Sequence, residues 1–101
     1  MNNETLITAK DIFNGMKAEY LKQDWEEDSP KEFHKKVEGD RVLMIRLDGN
    51  YIDMRLSRTG LYTSRFTNAH SSTEYPLNTS VKEFMNQFDT TANKWLNDLS
   101  A

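Results

Sequence analysis

Apolar positions along this chain change period twice. Over residues 4–25 they recur every three to four: Leu6, Ala9, Phe13, Met16 and Tyr20, with Ile12 and Leu21 widening the stripe and Trp25 near its end. Lys10, Lys17 and Lys22 take the other side, so the segment predicts an amphipathic helix. Gly15 inside it costs about 1 kcal/mol relative to alanine and points to close packing. Ser29-Pro30-Lys31-Glu32 has the form of a capping box with proline at the first helical position. It predicts a short second helix over about 30–38, with Phe33 and Val37 one turn apart and Gly39 as terminator.

From residue 43 the period becomes two. Leu43, Ile45 and Leu47 share a face, Asp48-Gly49-Asn50 supplies a tight turn, and Ile52, Met54 and Leu56 share a face on the next strand. Arg58-Thr59-Gly60 fits a three-residue loop, leading to a third strand over about 61–67 with Tyr62, Ser64 and Phe66. This register sets Leu47 against Ile52, Ile45 against Met54 and Leu43 against Leu56. It then sets Leu56 against Tyr62, Met54 against Ser64 and Ile52 against Phe66. All the apolar residues land on one side, as a half-buried antiparallel meander requires. The other side places Asp53 between Arg46 and Arg65, and Arg55 between Met44 and Thr63.

Residues 68–79 read as loop with a short edge strand around 73–77, since Pro76 is tolerated at an edge. Helical spacing then returns in Val81, Phe84, Met85, Phe88, Ala92, Trp95, Leu96 and Leu99, behind a second capping box at Ser80 and Glu83. The expected fold is a single two-layer α+β domain over residues 1–101. It has a three- to four-stranded antiparallel meander, two long helices on one face and a short helix after the first, in the order α-α-β-β-β-(β)-α.

Charge sharpens this picture. All five arginines (41, 46, 55, 58 and 65) lie in the sheet segment, where residues 41–67 hold only Asp48 and Asp53 as acids. Residues 1–40 carry six lysines against ten acids, and the whole chain has a formal net charge of −3. The arginine-bearing face of the sheet is therefore the candidate binding surface: Arg46, Tyr51, Asp53, Arg55 and Arg65, with Met44 as its apolar centre. Apolar and aromatic side chains among arginines resemble the make-up of protein interfaces. Two structural readings compete with it. Arg46, Asp53 and Arg65 form a cross-strand charge ladder, and Phe33 and Val37 of the short helix supply cover from within.

The remaining chemistry is sparse. No cysteine is present, which removes disulfides, thiolate chemistry and cysteine-based metal sites. His34 and His70 are the only histidines, and no spacing forces them together with Asp28 or Glu74 into a metal site. His70-Ser71-Ser72 puts neighbours on opposite sides of an extended chain, so it does not make a base–nucleophile pair. The run Glu26-Glu27-Asp28 lacks the alternating ligands of a calcium loop and reads as a solvated junction between helices. No catalytic residues, cofactor or metal are expected. The acidic N-terminus and the lack of a long apolar run point to a cytoplasmic protein without membrane contact. The expected function is a non-enzymatic protein-binding module, such as an inhibitor, adaptor or accessory factor of the kind mobile elements encode, acting as monomer or homodimer. Single-stranded nucleic-acid binding on the same face is the alternative.

Overall fold

The central alternation builds the sheet it predicts. The structure is a computed structural model that describes residues 6–37, 39–49, 51–58, 61–70 and 73–100, with side chains described except at 58, 61–65, 68–70, 78 and 98–100. In chain order the elements are β1 (Leu6–Thr8), α1 (Ala9–Tyr20), β2 (Glu26–Ser29), β3 (Glu32–Val37), β4 (Arg41–Asp48), β5 (Tyr51–Arg58), β6 (Leu61–His70), β7 (Glu74–Pro76) and α2 (Leu77–Ser100). Strands β2 to β6 form an antiparallel meander in sequence order, and β1 pairs with β7 in a separate two-stranded ribbon. The fold is α+β, with both helices on one face of the five-stranded sheet.

The β4–β5 hairpin has the predicted register. Asp48 faces Tyr51 across the turn, Leu47 faces Ile52, Ile45 faces Met54 and Leu43 faces Leu56. Gly49 adopts φ +57, a conformation that a side chain disfavours and glycine accepts freely.

The predicted short helix over 30–38 is instead the β2–β3 hairpin. Ser29 pairs with Glu32, and the Ser29 hydroxyl accepts a 3.2 Å hydrogen bond from the Lys31 N–H. Proline's fixed φ suits the second residue of a tight turn as well as the first of a helix, so local sequence alone left both open. Pairing with β4 decides between them. Phe33 faces Ile45, Leu47 N–H donates to the Lys31 carbonyl at 2.9 Å, and Phe33 is fully buried. The acidic run Glu26-Glu27-Asp28 is thus an edge strand, not a helix junction. Gly39 (φ +74) and Asp40 (φ +60) turn the chain between β3 and β4 rather than ending a helix.

Helix boundaries also move. α1 starts at Ala9, not residue 4, because Thr8 is extended and Asp11 accepts hydrogen bonds from both its N–H and its hydroxyl at 3.3 Å. It ends by Tyr20 through a single 3-10 turn, with Asp24 left-handed at φ 69. α2 starts at Leu77, before the predicted Ser80 cap. Ser80 lies inside the first turn, where its hydroxyl donates back to the Pro76 carbonyl. The predicted edge strand near 73–77 exists as β7, but it pairs with β1 through Leu6–Pro76, Ile7–Tyr75 and Thr8–Glu74.

From Ser64 onward the third strand keeps its predicted faces by an unpredicted route, while Tyr62, expected opposite Leu56, pairs with Ser57 in a row of the other face. Arg58 pairs with Leu61, leaving two residues at the tip instead of three. Taken alone, a two-residue connection would put Phe66 opposite Asp53. Ser57 pairs with Tyr62 but Leu56 with Ser64, so Thr63 is an extra residue that restores the alternation. Phe66 therefore faces Met54 and meets Phe88 of α2 edge-on, with centroids 5.3 Å apart.

The core lies between this face and the helices. Ile12, Phe13, Met16 and Tyr20 of α1 meet Phe33, Ile45, Ile52, Met54 and Leu56, all fully or almost fully buried. Each such side chain contributes about 1.5–3 kcal/mol. Phe13, Tyr20, Trp25 and Phe33 form an aromatic cluster with centroids 4.8–5.6 Å apart. The helices approach closely at Gly15, where an added Cβ would sit 2.8 Å from a Val81 methyl.

Candidate functional site

The sheet's second face carries no helix among the described residues, and its side chains fall in rows fixed by strand pairing. One row runs Glu32–Arg46–Asp53–Thr67, and the next Glu26–His34–Met44–Arg55–Arg65. Lys36, Val42 and Ser57 lie beyond, and Asp48 and Tyr51 at the opposite end. Met44, Arg46, Tyr51, Asp53 and Arg55 are thus brought together, as the alternation requires. Arg65 pairs through its backbone with Arg55, not Asp53, and Thr67 takes the place opposite Asp53. The side chain of Arg65 lies outside the described residues.

Asp53 is the unexpected member. It sits on the face away from the helices yet has 0% exposure. Its carboxylate accepts a 2.5 Å hydrogen bond from the Thr67 hydroxyl and one of 3.3 Å from Arg55 Nη2. Burying an isolated carboxylate costs several kcal/mol, so these donors and the adjacent positive charge are what make the position tolerable. The Arg55 side chain is itself only 11% exposed, and its Nη2 also lies 3.8 Å from Asp48. Asp48 accepts from Arg46 Nη2 at 3.0 Å. The described ion pairs run Arg46–Asp48–Arg55–Asp53, partly along the strands, and the Arg65 arm of the predicted ladder lies outside the described residues. Pairs of this kind at the surface contribute at most about 1 kcal/mol. The buried Asp53 contacts contribute more.

Internal cover by Phe33 and Val37 does not occur. Phe33 points into the core, and its strand widens the candidate face by one column. That column brings a cluster the sequence reading had not assembled. His34 Nδ1 lies 2.7 Å from Asp28 Oδ2, and Nε2 lies 3.3 Å from Glu26 Oε2. The two carboxylates grip opposite sides of the ring and do not converge on a common point. Among the described residues, no group of three or more His, Asp or Glu side chains is placed to hold a metal ion. The period-two spacing of Glu32, His34 and Lys36 against Phe33 and Val37 was the available cue. His70 has no described side chain, and Ser71 and Ser72 lie outside the described residues.

A shallow groove lies elsewhere, between the end of α1 and the outer side of α2, lined by Glu19, Leu77, Val81, Met85 and Asp89 among others. At its base the buried Tyr20 hydroxyl donates to Asp89 at 2.8 Å. Burial foremost, then the hydrogen bond and charge of Asp89, hold that hydroxyl far above the usual tyrosine range. None of the candidate residues reaches this groove. Among the described residues, no helix is long and apolar enough to cross a membrane. No family model, curated protein or solved structure matches this chain.

Proposed function

We propose that this chain is a cytoplasmic protein-binding module without catalytic activity, acting as an inhibitor, adaptor or accessory factor through the helix-free face of its sheet. The observation that carries the reading is a half-buried Met44 flanked by Arg46 and Arg55, with Tyr51 45% exposed on the same face. Aromatic, methionine and arginine side chains around a partly dehydrated centre are what interface hot spots are made of. The test is binding by purified protein carrying Met44→Asp or Tyr51→Ala, each with thermal unfolding measured alongside. Loss of partner capture with unchanged unfolding supports the reading; full capture by both variants removes it. Arg55→Glu is the wrong probe, because it would set a carboxylate against the buried Asp53 and unfold the sheet.

Single-stranded nucleic-acid binding on the same face draws support from Tyr51 beside arginines, a pairing suited to stacking and phosphate contact. The hairpin weighs against it, since Glu26, Asp28 and Glu32 share the surface and repel phosphates. A mobility shift with random oligonucleotides that weakens steeply with salt would restore this reading.

A further inference from the structure

We propose that residues 26–30, comprising β2 and the start of its turn, form a charge-latched strap that lifts off β3 while the rest of the domain stays folded. Its opening does not depend on the reading of the helix-free face as a docking surface; only its consequence for that face does.

The strap has little to hold it by packing. β2 is the outermost strand beside β3, and all four of its residues, Glu26–Ser29, are exposed. It brings no apolar side chain to the core, and its pairing with β3 is irregular between Glu27 and Ser29. Segments with few buried apolar contacts are the ones that open locally. Both ends of the strap, by contrast, are fixed. Trp25 is buried, its ring 4.8 Å from that of Tyr20 and 5.4 Å from that of Phe33. At the other end the Lys31 carbonyl accepts from Leu47 N–H at 2.9 Å. Residues 26–30 bridge these anchors.

Charge supplies the latch. Alternation sends the carboxylates of the strap to both sides of the sheet, and a basic side chain meets them on each. On the helix side, Lys17 Nζ of α1 lies 2.8 Å from Glu27 Oε2 and donates to the Pro30 carbonyl at 2.9 Å. One ammonium thus holds both the strand and its turn, and its stem runs past the Phe13 ring. On the other side the His34 ring lies between Asp28 Oδ2 at 2.7 Å and Glu26 Oε2 at 3.3 Å. Every acid of the strap is therefore tied to a side chain outside it. Partly exposed contacts of this kind are individually weak, so the closed strap is favoured by a modest factor.

The consequence falls on the helix-free face. Opening withdraws Glu26 and Asp28 from its edge and leaves Glu32, His34 and Lys36 of β3 there. The same face thus has two charge states, and a partner bearing phosphates or carboxylates favours the open one.

Native-state hydrogen exchange, followed residue by residue by NMR, tests the strap. Amide protons bonded across β2–β3 should exchange at least about 100-fold faster than those across β4–β5. Their rates should barely respond to low urea, because lifting the strap exposes little surface. Lys17→Met, which keeps the stem over Phe13 and removes the charge, should speed β2–β3 exchange about tenfold. His34→Gln added to it should multiply that effect, since the two contacts share no atoms. Exchange across β2–β3 at the rate and urea slope of β4–β5 overturns the inference, because the strap would then open only with the whole domain. Fast exchange that neither variant alters overturns the latch. Both of those results leave the docking reading intact, since it stands on Met44 and Tyr51.

Discussion

The two faces of one sheet solve burial differently. Toward the helices, Phe33, Ile45, Ile52, Met54 and Leu56 are dehydrated by α1 and α2, and these side chains need no polar partner. On the other side Asp53 is equally dehydrated, but by neighbouring side chains of its own sheet. The first face is held by shape and area, the second by a small set of directional contacts. Losses on the first face should therefore scale with volume removed, and on the second with which partner is removed.

That contrast can be broken in several places. The largest effect belongs to Phe33→Ala, which empties the junction of four aromatic rings and should cost about 3–5 kcal/mol in denaturant unfolding. Asp53→Ala should cost about 3 kcal/mol, because Arg55 is left in a dehydrated position without a buried counter-charge. A cost under about 0.5 kcal/mol would show the second face to be mere surface.

Alkaline pH probes the helix layer. The folded-state pKa of Tyr20 lies above its unfolded value, so the native state keeps a proton that the unfolded chain gives up. Its contribution is complete below the unfolded value near 10 and fades as pH rises toward the folded one. Stability should fall with a slope of about 0.7 kcal/mol per pH unit at pH 10, steepening toward about 1.4 by pH 11. Tyr20→Phe should flatten that slope in urea titrations at pH 9 to 11.

Gly15→Ala tests the helix contact. The helix-propensity gain of about 1 kcal/mol should be outweighed by the clash with the stiff Val81 side chain, for a net loss of about 1 kcal/mol. In Gly15→Ala with Val81→Ala, a positive coupling in a double-mutant cycle should appear. Smallest of all, Tyr51→Ala should shift unfolding by less than about 0.5 kcal/mol, since the ring is largely exposed.

Much of this architecture could be read from residue order alone, and the failures have one physical root. The β4–β5 hairpin was legible because Asp48-Gly49-Asn50 and strict alternation specify a local pairing. The stripe of α2 was legible for the same reason, being periodic within a single element. The β2–β3 hairpin was not, because Ser29-Pro30-Lys31-Glu32 suits a helix start and a tight turn alike. Burial of Phe33 under α1, a contact between distant segments, settles the matter. Of the candidate surface, five of six residues were placed together by parity. The identity of their partners was not, because Asp53 meets Thr67 only after a bulge no local pattern announces.

That supernumerary Thr63 has a practical corollary for anyone editing this protein. Excising it would remove the bulge and leave the pairings beyond it in place, with Ser64 still opposite Leu56 and Phe66 still opposite Met54 and against Phe88. A single deletion at the bulge should thus be tolerated, and a second beside it, with no spare residue left to absorb it, should turn Phe66 outward.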